Sequence, residues 1–198
     1  DKEAAGLSFG AQERKMGWRA QPTAQVMMEN CSTPAENLLG SEGDGFSYAM
    51  MGLDGGRLNI AAAALGGAQA AYEKALSYSS ERKAFGRSID KFQSVQFKIA
   101  DMFTNLEVAR TFLHQAAWKL DHKTADATRA CAMAKRHVTD VSFDVANEAL
   151  QIHGGYGYLA DYGIEKILRD LRVHQILEGT NEIMRVIISR TLLAERDR

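Results

Sequence analysis

Apolar residues recur at helical spacing along most of the chain, and three long stretches carry the pattern. In the first, Phe46, Met50, Leu53, Arg57, Ile60, Ala64, Gly67 and Ala71 follow alternating steps of four and three, a heptad-like seam. Its small residues let a second helix come close. The second stretch puts Val95, Ile99, Met102, Leu106, Ala109, Leu113, Ala116 and Leu120 on one seam. The third does the same with Ala127, Cys131, Ala134, Val138, Val141, Val145, Ala149 and Ile152. Residues 81–93 (ERKAFGRSIDKFQ) break the pattern at Gly86, and residues 122–126 (HKTAD) form a polar turn. Gly154 and Gly155 predict a left-handed helix stop. A short helix is predicted over 162–171. A last one is predicted over 181–194, where Ile183, Met184, Ile187, Ile188 and Leu192 recur. Three long antiparallel helices plus this last one predict a mainly α fold, a four-helix bundle over residues 41–198. The turn SEGDGF (41–46) opens it.

Residues 1–40 read differently. They hold both prolines, Pro22 and Pro34, and short strand-like runs at 7–9 and 24–29. A few strands make no stable sheet alone. This segment is therefore expected to be the end of a larger β domain, and the chain an excised piece of a longer protein. Trp18, Trp118 and the phenylalanines are most simply core residues.

Composition narrows the function. With 198 residues and a formal net charge of -1, the chain gives no electrostatic reason to expect nucleic acid or an anionic membrane. No apolar run approaches the ~20 residues of a membrane span. Cys31 and Cys131 lie far apart and read as reduced thiols. Neither they nor the histidines have metal-ligand spacing, so no metal is expected.

The chemistry concentrates in residues 172–193 (RVHQILEGTNEIMRVIISRTLL). Glu178 stands between Leu177 and Gly179, before a helix that Thr180 or Asn181 can cap. Glu182 is explained as an ordinary first-turn carboxylate. Glu178 precedes the cap and has apolar neighbours, and a partly desolvated carboxylate suits a general base. His174, four residues earlier, either tunes it or makes a structural hydrogen bond. Arg57, a cation in core phase, needs an anion. Asp54 is that partner, in an internal ion pair, or else both residues meet a ligand. Arg82, Lys83 and Arg87 surround a glycine turn that either holds a phosphate or is a solvated basic turn. QIHGGYGY (151–158) offers glycine backbone that a ligand can approach, or only a helix stop.

Together these stretches resemble the acyl-CoA dehydrogenase family. KMGWRAQPTAQVMMEN, NLLGSEGDGF, LDGGRLNIAAAALGGAQ, ERKAFGRSIDKFQ, QIHGGYGY and HQILEGTNEIMR occur in family order over nearly the whole chain. The resemblance implies the last strands of a middle β domain (residues 1–40) followed by the C-terminal bundle. It implies FAD as cofactor and oxidation of an acyl-CoA thioester to its trans-2-enoyl-CoA, with Glu178 removing the α-proton. By the same resemblance Asp54, Gly55, Gly56, Arg57, Gly179 and Arg190 meet the acyl-CoA. Thr180, Asn181 and Glu182 line the flavin. Arg82, Phe92, Gln93, Gln151, Ile152, His153, Gly154 and Gly155 match positions that bind the adenine-diphosphate half, largely from a neighbouring subunit.

The stretches are most similar to branched-chain members of valine breakdown, which implies isobutyryl-CoA as substrate and methacrylyl-CoA as product. Alternatives are 2-methylbutyryl-CoA, butyryl-CoA, or an inactive helical oligomerisation fragment. Leu177 departs from the tyrosine of straight-chain members and leaves room for a methyl branch. A homotetramer, electron-transfer flavoprotein as electron acceptor, and a bacterial cytoplasm or mitochondrial matrix are further implications. The piece alone is expected to be inactive.

Overall fold

The computed structural model describes residues 2–196. Two short antiparallel strands, β1 (Leu7–Phe9) and β2 (Val26–Met28), pair with Leu7 opposite Met28 and Phe9 opposite Val26. They occupy the two predicted strand-like runs. Helix α1 (Gly45–Glu81) follows the SEGDGF turn, where Asp44 accepts the backbone N–H of Tyr48 on its carbonyl. The chain divides into two compact units, Asp1–Gly52 and Leu53–Arg198, so the boundary falls inside α1.

In the second unit α1 gives way to a hairpin, β3 (Lys83–Ala84) and β4 (Arg87–Ser88). Phe85 and Gly86 form its two-residue tip, both with positive φ, the signature of a tight hairpin turn. The expected break at Gly86 is therefore a hairpin tip, with α1 already ended at Glu81. Helices α2 (Gln93–Asp121), α3 (Ala127–His153), α4 (Ile164–Arg172) and α5 (Asn181–Arg196) complete the unit. Gly154 ends α3 with φ 59 and ψ -137, so the stop is a positive-φ glycine but not the left-handed helical form.

Contacts between the helices fix their directions. Lys98 pairs with Glu148, and Lys119 with Asp126 across the turn, so α2 and α3 are antiparallel. Arg110 on α2 donates to Gln69 at 2.9 Å, while the rings of Phe103 and Tyr72 stand 5.8 Å apart, so α2 is antiparallel to α1 as well. Thr128 meets Asp54 near one end of α3 and His153 stacks on Tyr78 at the other, so α1 and α3 run parallel. Arg129 pairs with Glu195, and Lys135 with Asn181, which sets α5 antiparallel to α3. The result is an up-down-up-down bundle of α1, α2, α3 and α5, with α4 packed against α3.

Alanine dominates the core: Ala61, Ala64, Ala68, Ala71 and Ala75 on α1 meet Leu106, Ala109, Ala134, Val138 and Ala149 in one cluster. The seams of α2 and α3 face inward as predicted, with partial burial at Val95, Ile99, Leu120 and Val141. The α1 seam needs correction at its start. Phe46 and Met50 are exposed, at 77% and 42%, and burial begins at Arg57 and Leu58. The aromatic residues need it too. Trp118 is 55% exposed and lies on His122 at the end of α2, and Phe85, Phe97 and Phe103 are exposed. An alanine-lined interface leaves no room for large rings, so they occupy outer faces.

Leu106 is one of the largest fully buried side chains. Leu106→Ala is expected to destabilise the protein by about 2–5 kcal/mol, read as a fall in the urea midpoint. A loss below about 1 kcal/mol would mean that the helices close over the gap.

Candidate active site

Glu178 stands on a turn between the short 3-10 segment Val173–Gln175 and α5. Glu178 has φ 55 and Gly179 φ 87, two successive left-handed residues. Such backbone is strained for a residue with a Cβ, so the turn must be held from outside. Thr180 caps α5: its carbonyl accepts the N–H of Met184 at 3.0 Å and its hydroxyl accepts that of Ile183 at 3.3 Å. Glu182 follows exposed in the first turn. Its own backbone N–H, then the Thr180 hydroxyl, hold its carboxyl below the usual range.

Asn181 is the other predicted cap, and its side chain does something else. It is buried against α3, accepts from Lys135 Nζ at 2.9 Å and donates to Asp140 at 2.8 Å and Thr139 at 3.0 Å. Its amide is thus committed to protein. Lys135 also donates to the Gly179 carbonyl at 2.7 Å. Sequence reasoning missed Lys135. It flanks the α3 seam, three residues before Val138 and four after Cys131, and a two-position seam passes it over. His174 is buried too. Desolvation lowers its pKa, opposed by Asp170 and assisted by Lys135.

Helix α1 closes the other side. A Cβ at Gly56 would lie 2.5 Å from Glu178 Oε2, so the carboxylate rests where α1 has no side chain. The structure thus brings the DGGR and EGTNE stretches together. Arg57, one residue on, donates Nη1 to Asp54 Oδ1 at 2.6 Å, and Asp54 Oδ2 accepts the Thr128 hydroxyl at 2.6 Å. The internal ion pair is present. Arg57 Nε is nevertheless buried with no hydrogen-bond partner, so the guanidinium keeps an unused donor. Cys131 faces the same pair. Burial, then Asp54, push its thiol up to about 11 against the pull of Arg57.

A second region lies at the far end of α3. Arg82, Ile152, His153, Gly154 and Gly155 line a cavity of about 370 Å³ together with Tyr78, Ile89 and Tyr156. Arg82 stacks its guanidinium 5.2 Å from the Tyr156 ring centre. A Cβ at Gly154 or Gly155 would meet nothing within 4 Å, so the backbone there is open. The two weak phosphate signals, distant in sequence, share this cavity. Gln151 is exposed. Phe92 and Gln93 start α2, Phe92 under the Arg87 guanidinium at 4.2 Å, and neither lines the cavity. Arg190 is exposed on α5, about 13 Å beyond Asn181 and on the opposite face, so it does not join Glu178. A wider polar cavity of about 770 Å³ in the N-terminal unit, lined by Arg14, Lys15 and Arg19 among others, contains none of the predicted site residues.

These features place a half-buried carboxylate at a helix start, with a separate cationic cavity, on an antiparallel bundle. The family profile described as acyl-CoA dehydrogenase, C-terminal domain, matches residues 43–193, and the chain belongs to the acyl-CoA dehydrogenase family. The mitochondrial isobutyryl-CoA dehydrogenase of Bos taurus is 49% identical over 195 residues, covering 98% of this chain and 47% of that protein. Among solved structures, butyryl-CoA dehydrogenase from Megasphaera elsdenii superposes with a TM-score of 0.94 at 43% identity, over 98% of this chain and 50% of that one. A chain solved in work on the electron transferring flavoprotein of Acidaminococcus fermentans gives 0.94 at 48% identity, over 98% and 50%. The chain spans about half the length of the relatives it matches.

Two outcomes are expected from this geometry. Gly56→Ala leaves the melting temperature equal or higher, because alanine is better in a helix by roughly 0.5–1 kcal/mol, while a crystal structure of the variant shows the Glu178 carboxylate displaced. A fall of several degrees would mean that the turn backbone had moved instead. At pH 8 Cys131 remains a protonated thiol, and iodoacetamide labels it only after denaturation. Labelling in the native protein would contradict its burial.

Proposed function

We propose that the protein is an FAD-dependent acyl-CoA dehydrogenase in which Glu178 takes the α-proton of a short branched-chain acyl-CoA, converting isobutyryl-CoA to methacrylyl-CoA. The observation that carries the reading is the half-buried Glu178 carboxylate resting against the bare backbone of Gly56. A flat thioester can approach there without meeting a side chain from α1. The α-proton is weakly acidic, so the base must be held in place and shielded from water. Asp54, itself held by the Thr128 hydroxyl, fixes the Arg57 guanidinium one residue from the bare Gly56 backbone, which supports the DGGR stretch as an acyl-CoA contact. Gly179 and Arg190 are the other proposed acyl-CoA contacts.

The residues fit a flavin dinucleotide in two places. The cavity of Arg82 and the open glycine backbone at 154–155 suits a diphosphate. The start of α5, Thr180 to Glu182, suits the ring edge, with Asn181 contributing through its backbone because its amide is occupied. FAD, when bound, supplies the acceptor for the hydride leaving the β-carbon. Lys135 and His153 mark these two places on α3, about 27 Å apart along its axis. That is farther than the ribityl arm between a flavin ring and its diphosphate. One chain would therefore serve two flavins, which supports a homo-oligomer, in our reading a tetramer. Electron-transfer flavoprotein as the acceptor draws support from the Acidaminococcus fermentans relative.

The branched substrate is supported by the Bos taurus relative and by Leu177 beside the base. The Megasphaera elsdenii relative, a butyryl-CoA dehydrogenase, makes the straight chain the competing reading, with 2-methylbutyryl-CoA beside it. In the full-length flavoprotein, Glu178→Gln is expected to slow flavin bleaching by isobutyryl-CoA about 10²–10⁴-fold with flavin content unchanged. Bleaching near the wild-type rate would sink the assignment. Comparing kcat/KM for isobutyryl-, 2-methylbutyryl- and butyryl-CoA decides the acyl group.

A further inference from the structure

We propose that Lys135 is a positioning residue for the Glu178 base, tying the Gly179 carbonyl and the Asn181 side chain to α3 and so holding the left-handed turn in place. The inference rests on the reading of Glu178 as the base. It concerns a residue whose side-chain bonds go to Gly179 and Asn181, on the C-terminal side of Glu178.

The observations come from three directions. First, the turn carries backbone strain at Glu178 and Gly179. Strain of this kind persists only where the surroundings hold it. The chain enters the turn through the N–H of Leu177 on the Val173 carbonyl and leaves it at the Thr180 cap. Between those points, a 2.7 Å bond from Lys135 to the Gly179 carbonyl ties the turn backbone to α3.

Second, Lys135 is fully buried, the largest such side chain among the described residues. A buried ammonium is expensive, and an apolar side chain of the same length would pack at least as well. Stability therefore gives no reason for a lysine here. Gly179 itself is exposed, so its carbonyl could be satisfied by water if the lysine were absent. What only the lysine supplies is a fixed location for that carbonyl.

Third, the network is closed on the α3 side. Asn181 accepts from Lys135 and donates to Thr139 and Asp140, and Asp140 also accepts from Gln175 at 2.8 Å. Both flanks of the turn are thereby bonded to one and a half turns of a single rigid helix.

The charged groups around Lys135 are Asp140 on its own helix, Glu182 on α5, Glu178 in the turn and Arg57 on α1, with His174 on the segment before the turn. Burial lowers its pKa to about 8, with the three carboxylates opposing and Arg57 assisting. Below that pH the ammonium makes charge-assisted bonds. Above it a neutral amine remains, with weaker bonds. The hold on the turn should loosen as pH rises through about 8.

The test compares the full-length flavoprotein with Lys135→Met, which has the length but no donor, and Lys135→Gln, which keeps a donor. Hydrogen exchange is measured across residues 173–185, and flavin reduction by acyl-CoA is followed from about pH 6 to about pH 9.5. In Lys135→Met, amides of the turn exchange about tenfold faster while those of α2 and α3 are unchanged, flavin content holds, and melting is no lower than wild type. Reduction slows about tenfold in kcat with KM little altered, the loss of rate above pH 8 disappears, and Lys135→Gln recovers part of both effects. Unchanged exchange at the turn with an unchanged pH profile overturns the proposal. So does loss of protection throughout the bundle in both variants, which would make Lys135 a general structural residue. A wild-type protein that acyl-CoA does not reduce defeats the base assignment alone, and the exchange comparison still decides whether Lys135 holds the turn.

Discussion

Small side chains at the helix contacts set how closely this bundle can close, and the site depends on that closeness. Five alanines of α1 between Ala61 and Ala75 are completely buried. With little more than backbone between them, α1 and α3 come near enough for Thr128 to reach Asp54 and for Tyr78 to stack on His153. The same economy continues at Gly56, where the absent side chain is the space that the Glu178 carboxylate uses. A bundle with leucine at these positions would hold its helices farther apart. Asp54, Arg57 and Glu178 would then no longer share one neighbourhood.

Polar groups are placed where this apolar frame can bear them. Asp54 and Arg57 neutralise each other at one edge of the core, and Lys135 is surrounded by Asp140, Glu178 and Glu182 at another. Both arrangements cost desolvation. They lie on either side of the turn that carries Glu178, which is what a site built by a frame, rather than a frame built for stability, looks like.

Much of the fold was legible because its periodicity is long and regular. The seams of α2 and α3 and the starts of α1 and α5 follow from spacing and caps alone. Glu178 stood out by its place before the cap, and family motifs supplied the grouping of Arg82 with Gly154 and Gly155. Other features were hidden for definite reasons. The hairpin at 83–88 has strands of two residues, too short for any alternation to register. Phe46 and Met50 keep helical phase, yet periodicity does not say where along a helix its partners end, and Trp118 stands off the α2 seam, two residues from both Ala116 and Leu120. Lys135 escaped because charge at a flanking position normally means solvent, and only the tertiary structure shows that the EGTN turn covers it. The side chain of Asn181 turned inward for the same reason.

Trp118 bears on how the protein would be watched in solution. The chain has two tryptophans, Trp18 in the N-terminal unit and Trp118 at the exposed end of α2, against His122. Neither reports from the alanine-lined interior. Intrinsic fluorescence would follow the solvation of a helix end and of a separate unit, and fraying of either would precede cooperative loss of the bundle. A spectroscopic transition at low denaturant would then be the signature of local opening, and circular dichroism, dominated by the long helices, would lag behind it.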